Sequence, residues 1–270
     1  MISLINLAVT ETNTAFDLSG VETQLNLVHA THVGAYTEVS GDAFGKALGH
    51  VASTSDGVID HVHALRTQYG ADLVAMIIDD PQYCGVAWMG PSKGRMFSVT
   101  SWSCATGYYS FGHEIGHNLG CNHDKGTKSQ CTSSNYNYGW RDPNARFRSI
   151  LAYKCVSGQC DNNAGGGCTR VQRFSNSKFL YNGSPIGSAL HDNARQINNV
   201  KAIVAGYYPH KPTYNQAEIC SNITRKRKCG QTAACKWESG SCSLNPCTLI
   251  TRRRKCRRTS GCSWSNGLCI

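Results

Sequence analysis

No apolar run in the chain approaches the roughly 18 residues a helix needs to cross a membrane, which excludes a helical membrane span. Its first residues, Met1-Ile2-Ser3-Leu4-Ile5-Asn6, have neither a basic n-region nor an unbroken apolar h-region, so they do not read as a secretory leader. Acid is scarce in one place: residues 220–270 hold a single acidic residue, Glu238, against 11 Lys and Arg, whereas residues 1–219 hold 16 of each sign. The formal charge of +10 therefore belongs to the tail of an otherwise neutral chain. That tail also lacks histidine and any Cys-x-x-Cys pair, which leaves a zinc ribbon without its usual ligands. Cysteine, by contrast, is abundant, with 15 in 270 residues. Cytosolic thiols are kept reduced, so this density points to an oxidising compartment and an extracellular, secreted protein. Sequons at Asn182-Gly183-Ser184 and Asn222-Ile223-Thr224 agree. A secreted protein without a leader predicts that the natural chain extends further at its amino end.

The tail contains a repeat. Cys220, Cys229, Cys235 and Cys242 recur as Cys247, Cys256, Cys262 and Cys269 at a constant offset of 27, and Trp237 aligns with Trp264. Each unit is too small to bury a core of its own, which predicts disulfide staples in 220–245 and in 246–270. Residues 209–219, with Pro209 and Pro212, read as a linker. Before it, helical periodicity is found at 2–18, 58–69, from about 108 onwards, and at 193–205, and strand signals at 24–33, 73–78, 85–89 and 97–101. The alternation predicts an α/β sheet domain followed by a loop-rich subdomain. Seven cysteines lie in this body (Cys84, Cys104, Cys121, Cys131, Cys155, Cys160 and Cys168), and the odd one is expected to pair with chain further upstream. Their connectivity is not legible in the sequence.

The informative segment is His113-Glu114-Ile115-Gly116-His117-Asn118-Leu119-Gly120-Cys121-Asn122-His123-Asp124. Residues four apart on a helix share a face, so His113 and His117 can reach one ion. Gly120 can take the left-handed conformation that ends a helix and lets the chain return with His123. Three imidazoles with a fourth position open to water make a catalytic zinc site, and Glu114 places a carboxylate beside that water. One catalytic Zn2+ is expected; no residue is assigned to structural Ca2+, and the oligomeric state is not specified. His29, His32, His50, His61, His63, His191 and His210 lack this spacing and read as ordinary helix, strand or loop residues.

The segment matches HExxHxxGxxH, and over roughly residues 1–208 the chain resembles the metzincin metalloproteases. Asp124, directly after the third His, resembles the adamalysin or reprolysin group and reads as structural support for the site. Cys84-Gly85-Val86-Ala87-Trp88 looks like that group's substrate-binding edge strand. Ser149-Ile150-Leu151-Ala152-Tyr153 looks like its Met-turn, with Leu151 in place of the methionine. Leu and Met have similar volumes, so a site with Leu151 as its floor is expected to survive. The resemblance implies a catalytic domain at 1–208 built on a mixed five-stranded sheet, or a four-stranded one here, because this chain starts inside the helix that follows the family's first strand. In the astacins and serralysins a tyrosine at the position of Tyr153 stabilises the oxyanion; a packed core tyrosine is the other reading of that residue.

These residues predict a zinc endopeptidase acting on extracellular protein or peptide. The basic runs at 225–228 and 252–255 suggest that residues 220–270 bind an anionic polysaccharide, or else are a solvated face. Disulfides argue against nucleic acid, an intracellular partner. A catalytically inactive metzincin scaffold serving as an adhesion or matrix-binding module is the alternative, and the presence of Glu114 speaks against it.

Overall fold

The computed structural model describes residues 1–34, 36–39, 41–160, 164–209, 235–244, 264–265 and 268–269. The chain divides into two units, Met1–Pro209 and His210–Ile270.

In the first unit, Ala8, Thr12, Ala15 and Phe16 recur at helical spacing and are the buried stripe of α1 (Ile2–Asp17). The next segment, 24–33, forms no strand. A strand needs ladder partners for its backbone groups, and Asn13 takes both from Leu25: its Oδ1 accepts the Leu25 N–H at 2.7 Å and its Nδ2 donates to the Leu25 carbonyl at 2.9 Å. The chain then enters α2 (Ala43–Ala52), whose start is capped by Asp42 accepting from the Gly45 N–H at 3.1 Å. This helix has no counterpart in the sequence reading. α3 (His61–Tyr69) starts three residues later than the periodicity predicts, because the Asp60 carboxylate holds the N–H groups of Asp56 and Gly57 in a turn.

The sheet follows as β1 (Val74–Ile78), β2 (Gly85–Ala87) and β3 (Phe97–Ser101), in the order β1-β3-β2. β3 is central, parallel to β1 with Val74 opposite Phe97, and antiparallel to β2 with Gly85 opposite Thr100. The expectation of four or five strands is therefore corrected to three among the described residues, since 24–33 does not join. Phe97 and Val99 alternate towards α2, where Phe44, Ala47, Leu48 and Val51 join Met76 and Ile78 in one core. Ser98 and Thr100 point to the opposite face, where their small side chains let the next long helix approach.

That helix is α5 (Ser110–Asn118), reached through the short α4 (Trp102–Ala105). Every residue of α5 is buried. Phe111, Ile115 and Leu119 form a second core with Ala8, Ala15 and Phe16 of α1, with Ile150, Leu151 and Phe174, and with Ala194, Ile197, Val200 and Val204. The last four belong to α6 (Asn193–Val204), capped by the Asp192 carboxylate. Between α5 and α6 the chain is loop-rich, with only the short strands β4 (Phe147–Arg148), β5 (Thr169–Arg170), β6 (Asn176–Tyr181) and β7 (Ser184–Ile186). Disulfides in this unit link Cys84 to Cys104, Cys131 to Cys160 and Cys155 to Cys168. Cys121 is the odd cysteine, a free and wholly buried thiol inside the second core rather than an exposed partner for chain elsewhere.

The second unit contains two hairpins, β8 (Cys235–Glu238) with β9 (Ser241–Leu244) and β10 (Trp264–Ser265) with β11 (Leu268–Cys269). Trp237 stands opposite Cys242 in one and Trp264 opposite Cys269 in the other, the same register at the 27-residue offset of the sequence repeat. Residues 210–219 of the expected linker and both basic runs lie outside the described residues. Among the described residues no helix is long and apolar enough to cross a membrane.

Candidate metal centre

Gly107 and Tyr109 both adopt left-handed backbone, with φ of +70° and +62°, so α5 starts at Ser110 instead of at Tyr108. His113 and His117 lie one turn apart on it, 5% and 7% exposed. The helix is stopped by Gly120 at φ +87°, where a Cβ would fall 2.7 Å from Gln196 Nε2 and 3.1 Å from the Gly90 carbonyl oxygen. The Cys121 N–H then returns to the Gly116 carbonyl at 2.9 Å, closing the helix end. The reversed chain brings His123 back over the helix.

The three Nε2 atoms form a triangle: His113 to His117 3.1 Å, His113 to His123 3.1 Å, and His117 to His123 2.8 Å. A tetrahedral zinc with bonds of about 2.05 Å spaces its ligand atoms about 3.3 Å apart, so the donor set fits that ion. The tautomers argue the same way. His113 Nδ1 donates to the Ile150 carbonyl and His117 Nδ1 to the Cys121 carbonyl, each at 2.8 Å, and a carbonyl can only accept. Burial, foremost, pulls all three imidazoles below their usual pKa, His117 to about 4, so the rings are neutral. The Nε2 atoms of His113 and His117 are thus lone-pair sites that cannot satisfy each other. Two such nitrogens converging with His123 Nε2 on one point suit a cation, and His113, His117 and His123 are the residues that could hold the Zn2+.

Two supports brace the site. Ile150 and Leu151 lie in the turn under α5, and Leu151 is fully buried against Gly116. Asp124 ties the third ligand's segment to the same turn. Its carboxylate pairs with Arg141 at 3.0 Å, accepts from the Thr127 N–H at 2.7 Å and from the Tyr153 N–H at 2.9 Å. Arg141 also donates to the Tyr153 carbonyl at 3.1 Å and to Gln159. Tyr153 itself is half exposed, its ring 4.3 Å from that of His123 and 6.3 Å from that of His113, centroid to centroid.

Glu114 is 4% exposed and lies against β2, so that a Cβ on Gly85 would fall 2.5 Å from its Oε1. Burial raises its carboxyl to about 8, against the opposing charge of Arg170. Gly85, Val86 and Ala87 form an edge strand, and Trp88 extends it by donating its N–H to the Phe97 carbonyl at 3.2 Å. Asn118, which the sequence reading passed over, pins the end of α5 to these strands: its Nδ2 donates to the carbonyls of Trp88, Arg95 and Phe97 at 2.9–3.2 Å. A cavity of about 560 Å³ opens beside the metal site, bounded by Gly85, His113, Glu114, Tyr153, Arg148 and Arg170. Neither arginine was singled out from sequence, because nothing in their flanks separates a buried Arg from a surface one. Arg141 was likewise missed.

The sequence model of the family described as "Metallo-peptidase family M12B Reprolysin-like" matches residues 1–179. Similar curated proteins include "Peptidyl-Asp metalloendopeptidase" of Stenotrophomonas maltophilia strain R551-3, 37% identical over 212 residues that cover 77% of this chain and 48% of that protein. The protein of the same name from Xanthomonas campestris pv. campestris is 36% identical over 209 residues, covering 77% and 47%. The chain therefore spans about half the length of these relatives. Among solved structures, "Structure of a chaperone-substrate complex" contains a chain with the same fold, at TM-score 0.52 and 21% identity, covering 77% of this chain and 31% of that one. A match over residues 1–179 that takes in the histidine-bearing helix, its glycine bend and the third ligand means that the chain belongs to the reprolysin-like M12B metallopeptidase family.

Proposed function

We propose that the chain is a secreted zinc endopeptidase that cleaves proteins next to aspartate. The observation that carries the peptidase reading is the convergence of three neutral imidazoles with a buried carboxylate, Glu114, and a free sheet edge on one cavity. The printed name of the relatives, peptidyl-Asp metalloendopeptidase, supports aspartate as the residue read at the cleavage point. The disulfides Cys84–Cys104, Cys131–Cys160 and Cys155–Cys168 support secretion.

Zinc, when bound, polarises the scissile carbonyl and brings the pKa of water down to about 7. The protein's part begins at β2, whose outer edge accepts an extended substrate as an added strand along Gly85, Val86, Ala87 and Trp88. Glu114, in its ionised form, takes a proton from the attacking water and delivers it to the leaving amine. The Tyr153 hydroxyl, on the rim beside His123, donates to the developing oxyanion. Asp124 and Gly120 hold the His123 segment in place, and Leu151 supports the helix turn between the first two ligands. The basic second unit, 220–270, carries the enzyme to an anionic polysaccharide; weaker retention on a heparin column as salt rises tests that, and retention insensitive to salt counts against it.

Glu114→Ala tests the central step. The variant should bind zinc as the unaltered chain does and lose at least about 100-fold in peptide hydrolysis. Hydrolysis at the unaltered rate with full zinc occupancy would overturn the role of Glu114.

A further inference from the structure

Two cationic side chains form one wall of the cavity, and neither forms an ion pair with a carboxylate among the described residues. Arg148 is 2% exposed, and its Nη2 donates to the Tyr108 hydroxyl at 2.9 Å. Arg170 donates from Nη1 to the Tyr108 carbonyl at 3.1 Å and stacks its guanidinium 4.3 Å from the centre of the Tyr108 ring. Three of their buried N–H groups, Arg148 Nε, Arg148 Nη1 and Arg170 Nε, have no hydrogen-bond partner. Buried charge is normally paired, as buried Arg141 is with Asp124. The one carboxylate on the cavity wall is Glu114, while Lys154 adds a further cation.

We propose that Arg148 and Arg170 form an anion pocket that receives the carboxylate side chain of the substrate residue flanking the scissile bond. The inference rests on the endopeptidase reading and names the groups that give it its aspartate preference. A planar guanidinium with free N–H groups matches a carboxylate in shape as well as in charge. Tyr108 fixes both forks from behind, so little ordering remains when the ligand arrives. The pocket shares its cavity with His113 and Glu114, and an extended peptide on Gly85 would run past it. A buried fork left unpaired by a neutral side chain also rejects such substrates, which is a stronger source of selectivity than attraction alone.

The test uses the full chain with zinc and C-terminally amidated peptides that differ only in one internal Asp or Asn, with products located by mass spectrometry. The unaltered chain should cleave next to Asp with kcat/KM about 100-fold above the Asn peptide. Arg148→Met and Arg170→Met should each bring that ratio to about 10-fold or below, and Arg170→Lys, which keeps the charge but not the fork, should fall between. A ratio near one in the unaltered chain overturns the pocket and leaves the endopeptidase reading standing. Met variants that bind zinc and keep the full ratio also overturn it, as does cleavage that requires a free C-terminal carboxylate. If the Met variants fail to fold, the unaltered chain and Arg170→Lys decide the matter: an unchanged ratio in the latter removes the fork from the account. An unaltered chain that cleaves neither peptide, with zinc bound, overturns both readings together.

Discussion

Replacing Asp124 by Asn keeps the side chain's shape and removes its charge from an ion pair whose partners are 0% and 1% exposed. Arg141 would then be a buried cation with no counter-charge at Asp124, and breaking one side of such a pair costs about 3–5 kcal/mol. For a unit of this size, each kcal/mol lowers Tm by about 2–4 °C, so a fall of roughly 6–20 °C is expected. Arg141→Met should cost a similar amount for the converse reason, an unpaired carboxylate. The double variant removes both charges, and its cost should fall short of the sum of the singles by at least about 2 kcal/mol. Urea unfolding followed by far-UV circular dichroism at fixed free zinc measures all four corners, because metal binding itself adds stability. The same Asn variant should weaken zinc binding by about 10–100-fold, since Asp124 orients the segment carrying His123. Additivity of the two single changes within about 0.5 kcal/mol would refute the reasoning, because it would mean the pair is not coupled.

Three further outcomes follow from the geometry. Gly85→Ala should leave zinc content intact but lower peptide hydrolysis by at least about 10-fold, because its Cβ would displace Glu114 Oε1 from 2.5 Å; unchanged hydrolysis with the Glu114 side chain in place would count against the position of that carboxylate. Asn118→Ala removes three hydrogen bonds between α5 and the strands and should cost about 2–4 kcal/mol in urea unfolding; a loss under about 0.5 kcal/mol would mean those bonds do not hold the helix. Cys121 has no exposed surface, so iodoacetamide should modify it only in unfolded protein, as read by peptide mapping; alkylation in the folded state would show that the core around it opens.

The three converging histidines were legible because their information is local. One helix face and one glycine bend decide where His113, His117 and His123 go, and both are written in consecutive residues. The same holds for α1 and α6, whose apolar stripes recur at helical spacing, and for β1, whose continuous apolar run marks a strand. Elements that depend on remote chain were less legible. The run at 24–33 has strand composition, yet Asn13 on α1 takes the backbone groups of Leu25 that a ladder would need. The start of α5 was misplaced because the left-handed Tyr109 carries no glycine to announce it.

The sequence by itself determined which three imidazoles converge, which carboxylate follows the first of them, and in what order they come along the chain. Only the tertiary structure decided what surrounds it. Arg141 comes to Asp124 across 17 residues, and Arg148 and Arg170 reach Tyr108 across 40 and 62. The physical reason is range: helix geometry relates residues three or four apart, whereas the charge balance of a cavity is settled only when distant segments are packed together and water is excluded.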